Sequence, residues 1–300
     1  MHGTTLQNLQ RLHEEFQTLR KGKDSLLRIL EESELPESVY NSNAIENSTL
    51  SLNETEKILL HQEIPPHHSQ REIFEAINLG KVTEYLNEKI SKQTPCSSEL
   101  ILLVHRTLLS HIHDGYAGRY RGENEFVRVG RHIAPPPDRL PELIGAMLLA
   151  YQEGTEHVLQ RITAFHPEFE RIHPFCDGNG RVGRALLNFQ LKMHGYPPVI
   201  IRNKEKKKYY EALRVYDDDR STKTFELIIA PLLKESLHKR IAYLQGDDVI
   251  LLSEARWLQS RFSAQSLTNA AKAQSLPAFR ERGRWKVGRK MFEEWLKSEH

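Results

Sequence analysis

The sequence predicts a mostly α-helical protein with one short β-hairpin and a small separate module at its C-terminal end. Most segments place apolar residues three and four positions apart, which lines one face of a helix. One stretch, residues 119–137, instead sets apolar residues around a glycine and ends in three prolines. The last fifty residues change to short helices and a strand. These observations predict a mostly helical fold, a short exposed strand or hairpin, and a winged-helix-like module.

The part of the chain before the hairpin is predicted to be helical. Residues 1–92 look helical, with polar breaks near Leu35–Pro36 and Ile64–His68. Ser97–His111 opens with a Ser-Ser-Glu start signal and continues as an apolar run that is too long for a typical strand. After the hairpin, Leu140–Tyr151 is entered through a proline-rich stretch and is the next predicted helix.

Two central segments share the same helical spacing on either side of a glycine-rich stretch. In the first, apolar residues lie four, three, four and three positions apart, at Val158, Ile162, Phe165, Phe169 and Ile172. The second repeats this spacing after Gly180, at Val182, Leu186, Phe189 and Met193. Both are predicted to bury one face of a helix.

The C-terminal module is predicted from the order of its short elements. Helices are expected at Ile250–Arg261 and Ser266–Gln274, a strand at Arg284–Val287, and a closing helix to Leu296. This order resembles a winged helix. The predicted domains are an N-terminal helical region at 1–92, a core at 93–245 and the module at 250–300.

The composition is that of an ordinary globular protein and gives no sign of a membrane or secreted protein. The 300 residues carry 42 Lys and Arg against 40 Asp and Glu, with a mean hydropathy of −0.56. No apolar stretch approaches the roughly 20 residues of a membrane span, and Met1–Phe16 shows no secretory signal. Two cysteines, Cys96 and Cys176, do not suggest a disulfide framework, so a cytoplasmic location is expected. Residues 255–300 nevertheless hold ten Lys and Arg against four Glu, so this end is basic.

The stretch His173-Pro-Phe-Cys-Asp-Gly-Asn-Gly-Arg-Val-Gly-Arg184 carries the candidate chemistry. Its Gly-Asn-Gly turn runs directly into a helix, whose first N–H groups and positive dipole end form an anion site. Arg181 and Arg184, three positions apart, can reach the same side, and two guanidiniums suit a polyphosphate. Asp177 is placed to hold a divalent cation, and His173 has a side chain suited to act as a base near neutral pH.

A simpler interpretation applies to each part alone. A lone Gly-Asn-Gly is usually a loop, and a lone His at a helix end is usually structural. An acid, three turn residues and two arginines at productive spacing are rarely found together by chance, which favours nucleotidyl or phosphoryl transfer. Cys176 is not expected to be a catalytic thiol.

The same twelve residues match the signature of the Fic family, His-x-Phe-x-(Asp/Glu)-Gly-Asn-Gly-Arg-x-x-Arg, and the chain resembles Fic proteins over roughly residues 35–240. The resemblance implies a helical core with a β-hairpin flap, and transfer of AMP from ATP to a Ser, Thr or Tyr hydroxyl of a target protein. It implies that His173 is the base, that Asp177 holds Mg²⁺, and that Arg181 and Arg184 grip the β- and γ-phosphates. The residues it assigns to ATP binding are Gly178, Asn179, Gly180, Arg181, Gly183, Arg184, Tyr209 and Tyr210.

Two further segments resemble parts of Fic proteins. Tyr209 and Tyr210 resemble residues that border the adenine pocket, although two core tyrosines would show the same pattern. Asp217 stands where some relatives have Asn, which leaves its adenine contact open. The flap is assigned to Glu125–Pro135, whose residues Val127, Arg128, Val129 and Gly130 would pair with the backbone of the target.

An inhibitory motif resembles the Fic pattern (Ser/Thr)-x-x-x-Glu-(Gly/Asn). Ser42-Asn-Ala-Ile-Glu46-Asn47 fits it, within a predicted inhibitory helix at about 38–48. Ser42 and Glu46 share a helix face, so Glu46 is expected to pair with Arg184 in the place that the γ-phosphate needs. An exposed surface glutamate is the simpler alternative.

Other functions remain open at this stage. Transfer of another phosphate-containing group, or Glu46-dependent removal of AMP, would use the same residues. A nucleotide-sensing DNA-binding regulator would instead act through residues 255–300, although protein docking or a homodimer would suit that module as well. The target protein is not identified by the sequence.

Overall fold

A computed structural model describes residues 3–258 and 261–298, and helices dominate it. The predicted mostly α-helical class is therefore confirmed. The main helices are α1 Gly3–Leu19, α2 Asp24–Ile45, α3 Leu52–Glu56, α4 Gln70–Ser91, α5 Ser98–Leu109, α6 Leu140–Glu153, α7 Val158–Ile172, α8 Asn179–Met193, α9 Lys206–Asp219 and α10 Lys223–Leu244. The C-terminal helices are α11 Leu252–Ala255, α12 Ala264–Ala273 and α13 Arg289–Ser298. The strands are β1 Arg128–Val129, β2 His132–Ile133, β3 Val249–Leu251, β4 Ala278–Glu281 and β5 Arg284–Gly288.

Two compact units share the chain. One contains the described residues of Met1–Glu34, Gly195–Val199 and Leu227–His300, and the other contains Leu35–His194 and Ile200–Glu226. The predicted domain boundaries at 92 and 245 stay predictions. No helix in the described ranges is long and apolar enough to cross a membrane.

Helices α7 and α8 pack against each other in the core of the second unit. Four of the five apolar residues that the spacing placed on one face of α7 are buried, namely Ile162, Phe165, Phe169 and Ile172, and Val158 is partly buried. On α8, Val182, Leu186 and Phe189 are buried in the same way. α4 and α5 pack on α8 and on each other, and α6 packs on α7. The loop that joins α7 to α8 therefore starts and ends on rigid helices.

The predicted hairpin is present and short. β1 and β2 pair antiparallel, with Val129 opposite His132, and Gly130 takes a positive φ of +61° in the turn. A residue without Cβ adopts this conformation without steric cost. Val129 and Ile133 are 45% and 71% exposed, so the hairpin presents apolar side chains to solvent.

The C-terminal module has the strand order β3–β5–β4, with α11 and α12 between the first two strands along the chain, as in a winged helix. The predicted helix Ile250–Arg261 is wrong at its start, because Ile250 pairs with Val287 in the sheet. A short apolar run fits a strand or a helix equally well, and here strand pairing decides. Helix then covers only Leu252–Ala255 and a 3₁₀ turn to Leu258, and Gln259–Ser260 lie outside the described residues.

Candidate active site

The stretch between α7 and α8 forms a tight loop that ends at the start of α8. His173 follows α7 with a left-handed backbone (φ +48°), and Gly178 turns the chain again (φ +82°) directly before α8. The side-chain amide of Asn179 closes the loop. Its Oδ1 accepts from the N–H of Phe175 at 2.9 Å, and its Nδ2 donates to the carbonyl of Phe175 at 2.8 Å. The loop thereby fixes the first N–H groups of α8, which have no carbonyl partner inside the helix.

His173 has the protonation state that a base requires. Its Nδ1 lies 3.2 Å from the carbonyl of Glu170, which favours the tautomer that carries a proton on Nδ1 and leaves Nε2 as the acceptor. Burial lowers the pKa of His173 to about 4, against a smaller opposing effect of this hydrogen bond. The imidazole is therefore neutral at pH 7, with its basic nitrogen available.

A buried arginine ties this loop to the hairpin, and sequence reasoning missed it. Arg121 is 3% exposed and donates from Nε to the carbonyl of His173 at 2.8 Å. Its two terminal nitrogens donate to the carbonyls of Glu125 and Pro135, each at 2.8 Å. These two residues bound the predicted flap. One side chain therefore positions the backbone of His173 and both ends of the flap.

A second missed residue supports the loop from below. The ring of His105 stacks on Phe175 with centroids 3.6 Å apart. Its Nδ1 accepts from the N–H of Gly118, so its Nε2 carries the proton and donates to the carbonyl of Asp177 at 3.0 Å. Burial lowers the pKa of His105 to about 4, which keeps this arrangement neutral. Phe175 is thus a buried anchor for the loop.

Asp177 lies at the centre of a cluster of charges. Its Oδ1 accepts from Arg181 at 3.1 Å and from the N–H of Gly178 at 2.6 Å, while its Oδ2 accepts from Arg71 at 2.5 Å. Glu75 contacts both arginines, each at 3.0 Å. Burial alone would raise the pKa of Asp177, but the two arginines hold it below its ordinary value. Asp177 is therefore an ionised carboxylate.

This cluster bears on whether a divalent cation fits. Among the described residues, no three His, Cys, Asp or Glu side chains are arranged to hold a metal ion. A lone carboxylate still fits Mg²⁺, which usually takes one or two carboxylates and completes its shell with phosphate and water oxygens. Arg71 must leave Oδ2 of Asp177 before such an ion can bind there. Arg71 and Glu75 had no signal in the sequence.

Arg184 is held by the two residues of the predicted inhibitory motif. Its Nε donates to Oγ of Ser42 at 2.9 Å, and its Nη2 donates to the Ser42 carbonyl and to Oε1 of Glu46, both at 2.8 Å. Glu46 directly follows α2, and Oε1 also lies against Gly180 in the space that a Cβ would fill. The Glu46 carboxylate thus lies beside the first turn of α8, where it bonds Arg184.

Comparison with known proteins agrees with this geometry. Residues 95–191 match the model of the Fic/DOC family. The chain therefore carries a Fic domain. A protein of Nematostella vectensis named protein adenylyltransferase Fic is 36% identical over 179 residues, which cover 58% of this chain and 42% of the relative. One of Culex quinquefasciatus with the same name is 32% identical over 238 residues, which cover 72% and 47%. The chain spans about half the length of these relatives.

Solved structures share the fold. A Fic-domain-containing signaling protein from Bacteroides thetaiotaomicron has a TM-score of 0.73 at 24% identity, covering 80% of this chain and 98% of that one. Fic-1 from C. elegans has a TM-score of 0.70 at 27% identity, covering 81% and 72%. The Fic fold thus extends well beyond the residues that the family model matches.

The remaining predicted nucleotide residues occupy different places in the Fic domain. Tyr209 is 1% exposed, and its hydroxyl bonds His166 at 2.9 Å while its ring lies beneath Arg184. Tyr210 is 38% exposed, and its hydroxyl donates to the carbonyl of Ile45 at 3.3 Å. Tyr210 therefore has the accessible face, whereas Tyr209 supports Arg184 from the interior. Gly183 faces α7, where an added Cβ would collide with Glu170.

The flap of the Fic domain is anchored at its second strand. Nε2 of His132 lies 2.7 Å from the carbonyl of Arg171, and Nδ1 lies 3.5 Å from a carboxylate oxygen of Asp217. Asp217, which the sequence left undecided, is thus next to the flap. Arg128, Val129 and Gly130 are exposed and Val127 is partly buried, so the predicted docking strand is accessible to another chain.

Proposed function

We propose that this Fic domain is a protein adenylyltransferase that transfers AMP from ATP to a Ser, Thr or Tyr hydroxyl of a target protein. One observation carries the proposal. Within one short loop and one helix start, a neutral imidazole, an ionised carboxylate and two arginines surround an anion site. The names of the relatives support the same activity.

The residues divide the reaction between them. The target hydroxyl oxygen attacks the α-phosphorus of ATP, the bond from that phosphorus to the bridging oxygen breaks, and pyrophosphate leaves. His173 takes the hydroxyl proton at Nε2, and general-base help of this kind contributes roughly 10²–10⁴-fold. The N–H groups at the start of α8 stabilise the charge that develops on the α-phosphate oxygens.

The other phosphates are assigned to the charged residues around α8. Arg181 is proposed to bind the β-phosphate, and Arg184 the γ-phosphate. Asp177 would hold Mg²⁺, and the ion would supply positive charge that neutralises the leaving pyrophosphate. The accessible face of Tyr210 is proposed to border the adenine.

The resting structure supports an autoinhibited form of this enzyme. Because Glu46 is bonded to Arg184, ATP cannot place its γ-phosphate there. ATP would then bind without the alignment that transfer needs. Release of Glu46 would permit transfer to targets and to the protein itself. A Glu46-dependent removal of AMP from targets stays a second proposed activity of the same site.

The target protein is proposed to bind by adding a strand to the flap. The exposed residues Arg128, Val129 and Gly130, next to partly buried Val127, would offer main-chain pairing, which registers a target hydroxyl with little dependence on its neighbouring side chains. The anchors of the flap, Arg121 and His132, would hold that strand at a fixed distance from His173.

The alternative, a DNA-binding regulator without transfer activity, is not favoured, because the relatives are named as adenylyltransferases. DNA binding by residues 255–300 stays a prediction that rests on their basic composition and the winged-helix strand order. Duplex DNA of random sequence at low and high salt tests it, because phosphate contacts give a steep salt dependence. No binding at low salt would exclude this role.

The decisive test is transfer of label from α-³²P-ATP in the presence of Mg²⁺. Glu46→Gly protein is incubated with candidate lysates, and mass spectrometry of the labelled bands identifies the adduct. We expect a mass increase of one AMP on a hydroxyl residue. The same protein with His173→Ala should be silent, while His61→Ala, which removes an exposed histidine, should label normally. Label that persists without His173 would refute the proposal.

A further inference from the structure

Glu170 is a buried carboxyl group that the proposed reaction does not use. It lies on α7 one turn before His173, and its side chain is 9% exposed. Its Oε1 is buried and has no hydrogen-bond partner in the described part of the chain. This oxygen packs against Gly183 of α8, where an added Cβ would come within 2.5 Å of it. The glycine makes room for the carboxyl group in the helix interface.

Four ionisable groups on different elements surround this carboxyl group. His166 on α7 has its Nε2 3.9 Å from Oε1, Arg184 lies on α8, Tyr209 on α9, and Glu46 follows α2. His166 already shares a hydrogen bond with Tyr209, and burial lowers its pKa to about 3, so it carries no positive charge. Among the four residues around Glu170, Arg184 therefore carries the positive charge. Arg184 bonds Glu46 rather than Glu170.

The surroundings keep Glu170 uncharged at neutral pH. Burial raises its pKa to about 8, against the opposing effect of Arg184 and with a smaller contribution from the Glu46 carboxylate. If Glu170 ionised, Arg184 would face two carboxylates, and Glu170 would weaken the attraction between Arg184 and Glu46. The same competition applies to a phosphate that replaces Glu46.

We propose that Glu170 is a positioning residue that tunes Arg184 by its own charge. As an uncharged acid it fills the space behind Arg184 and leaves the full positive charge to the bound anion. When Glu170 ionises, it competes with that anion, whether this is the Glu46 carboxylate or a terminal phosphate. The inference rests on the proposed role of Arg184 as the γ-phosphate ligand.

The direction of the pH effect follows from linkage. An anion on Arg184 raises the pKa of Glu170, so anion binding is coupled to proton uptake by Glu170. Affinity is then greatest at low pH and falls as the pH rises towards and past 8. Each unit by which the anion raises this pKa corresponds to an affinity loss of about tenfold between the two limits.

The experiment measures ATP binding by calorimetry from pH 6.5 to 9, with Mg²⁺ present, in buffers of different ionisation enthalpy. The parent protein carries Glu46→Gly, which empties Arg184, and His173→Ala, which prevents turnover. We expect weaker ATP binding at high pH, accompanied by uptake of up to one proton. Adding Glu170→Gln should abolish the part of both effects that ATP's own titration does not explain. Glu168→Gln, which removes a carboxylate paired with Arg171 on the same helix, should preserve them.

The outcomes separate this inference from the proposed function. In one outcome, the ATP affinity of Glu170→Gln depends on pH as that of the parent does, while Arg184→Ala loses ATP affinity at every pH. This outcome refutes the role of Glu170 and leaves that of Arg184 standing. If Arg184→Ala binds ATP as tightly as the parent, both roles are refuted. If Glu170→Gln does not fold, proton uptake by the parent decides, and none at pH 8 would overturn the inference.

Discussion

Replacing Glu46 with glycine is the change that acts most directly on the contact between the inhibitory motif and Arg184. The Arg184 side chain is 6% exposed and the Glu46 side chain 33%, and their atoms are 2.8 Å apart. Truncating one partner of a largely desolvated ion pair costs about 2–5 kcal/mol. Taking about 3 kcal/mol as the preference for the closed state, loss of Glu46 raises the rate more than about 100-fold. We expect Glu46→Gly to increase AMP transfer by at least that factor.

Graded variants show whether the charge is responsible. Ser42→Ala removes one hydrogen bond to Arg184, worth about 1 kcal/mol, and should raise transfer about 5-fold. Glu46→Gln keeps the shape without the charge and should fall between these two variants. Asn47→Gly is the matched control, because Asn47 already has a left-handed backbone (φ +71°) and glycine accepts it without strain.

The assay is initial-rate incorporation of labelled AMP into the protein itself and into lysate targets. Rates in Glu46→Gly that match the wild type, with the signal still dependent on His173, would show that the contact with Arg184 does not limit activity. A rise in Asn47→Gly equal to that in Glu46→Gly would assign the effect to backbone freedom instead.

Three further predictions concern the loop and its supports. Arg71→Ala, made in the Glu46→Gly background, frees Oδ2 of Asp177 from an exposed ion pair. The Mg²⁺ concentration for half-maximal transfer should therefore fall about 1.5- to 5-fold in a titration. A higher Mg²⁺ requirement would show that Arg71 assists binding of the ion. Burial lowers the pKa of His173 to about 4, so kcat/KM for transfer should stay constant from pH 7 to about 5 and be lost as the pH falls through 4. A pH profile of kcat/KM that falls with a midpoint near 6.5 would contradict this prediction. Arg121→Ala removes a buried guanidinium and leaves three part-buried carbonyls without their donor, so it should lower stability by about 2–4 kcal/mol in urea unfolding. Exposed Arg131→Ala should not lower it.

The sequence predicted the parts of the site whose chemistry is contiguous. The turn, the carboxylate and the two arginines lie within twelve residues, and helix geometry alone brings them together. The contact between Glu46 and Arg184 spans 138 positions, and it was predicted only because the inhibitory motif has its own pattern. The helical spacing of 158–172 and 182–193 also gave the correct helices, since each is long and strongly periodic.

What the sequence missed are contacts between distant segments without a local pattern. Arg71 reaches Asp177 across 106 positions, and Arg121 reaches His173 across 52. An arginine on a helix or in a loop looks the same whether it is solvated or buried. The strand at Val249–Leu251 was missed for a related reason, because only its pairing with β5 distinguishes it from the start of a helix.

At the proposed site, nucleotide binding would be an exchange of anions. Arg181 is paired with Asp177 and Glu75, and Arg184 with Glu46. A nucleotide that binds Arg184 would therefore have to replace the Glu46 carboxylate. A monophosphate would reach only the start of α8 and gain nothing at Arg184, whereas a triphosphate would gain the contact with Arg184 once Glu46 has left it. We therefore expect Glu46→Gly to tighten ATP binding at least tenfold while AMP binding changes less than twofold, as calorimetry would measure. Equal gains for both nucleotides would mean that Glu46 blocks the site by volume and not by its charge on Arg184.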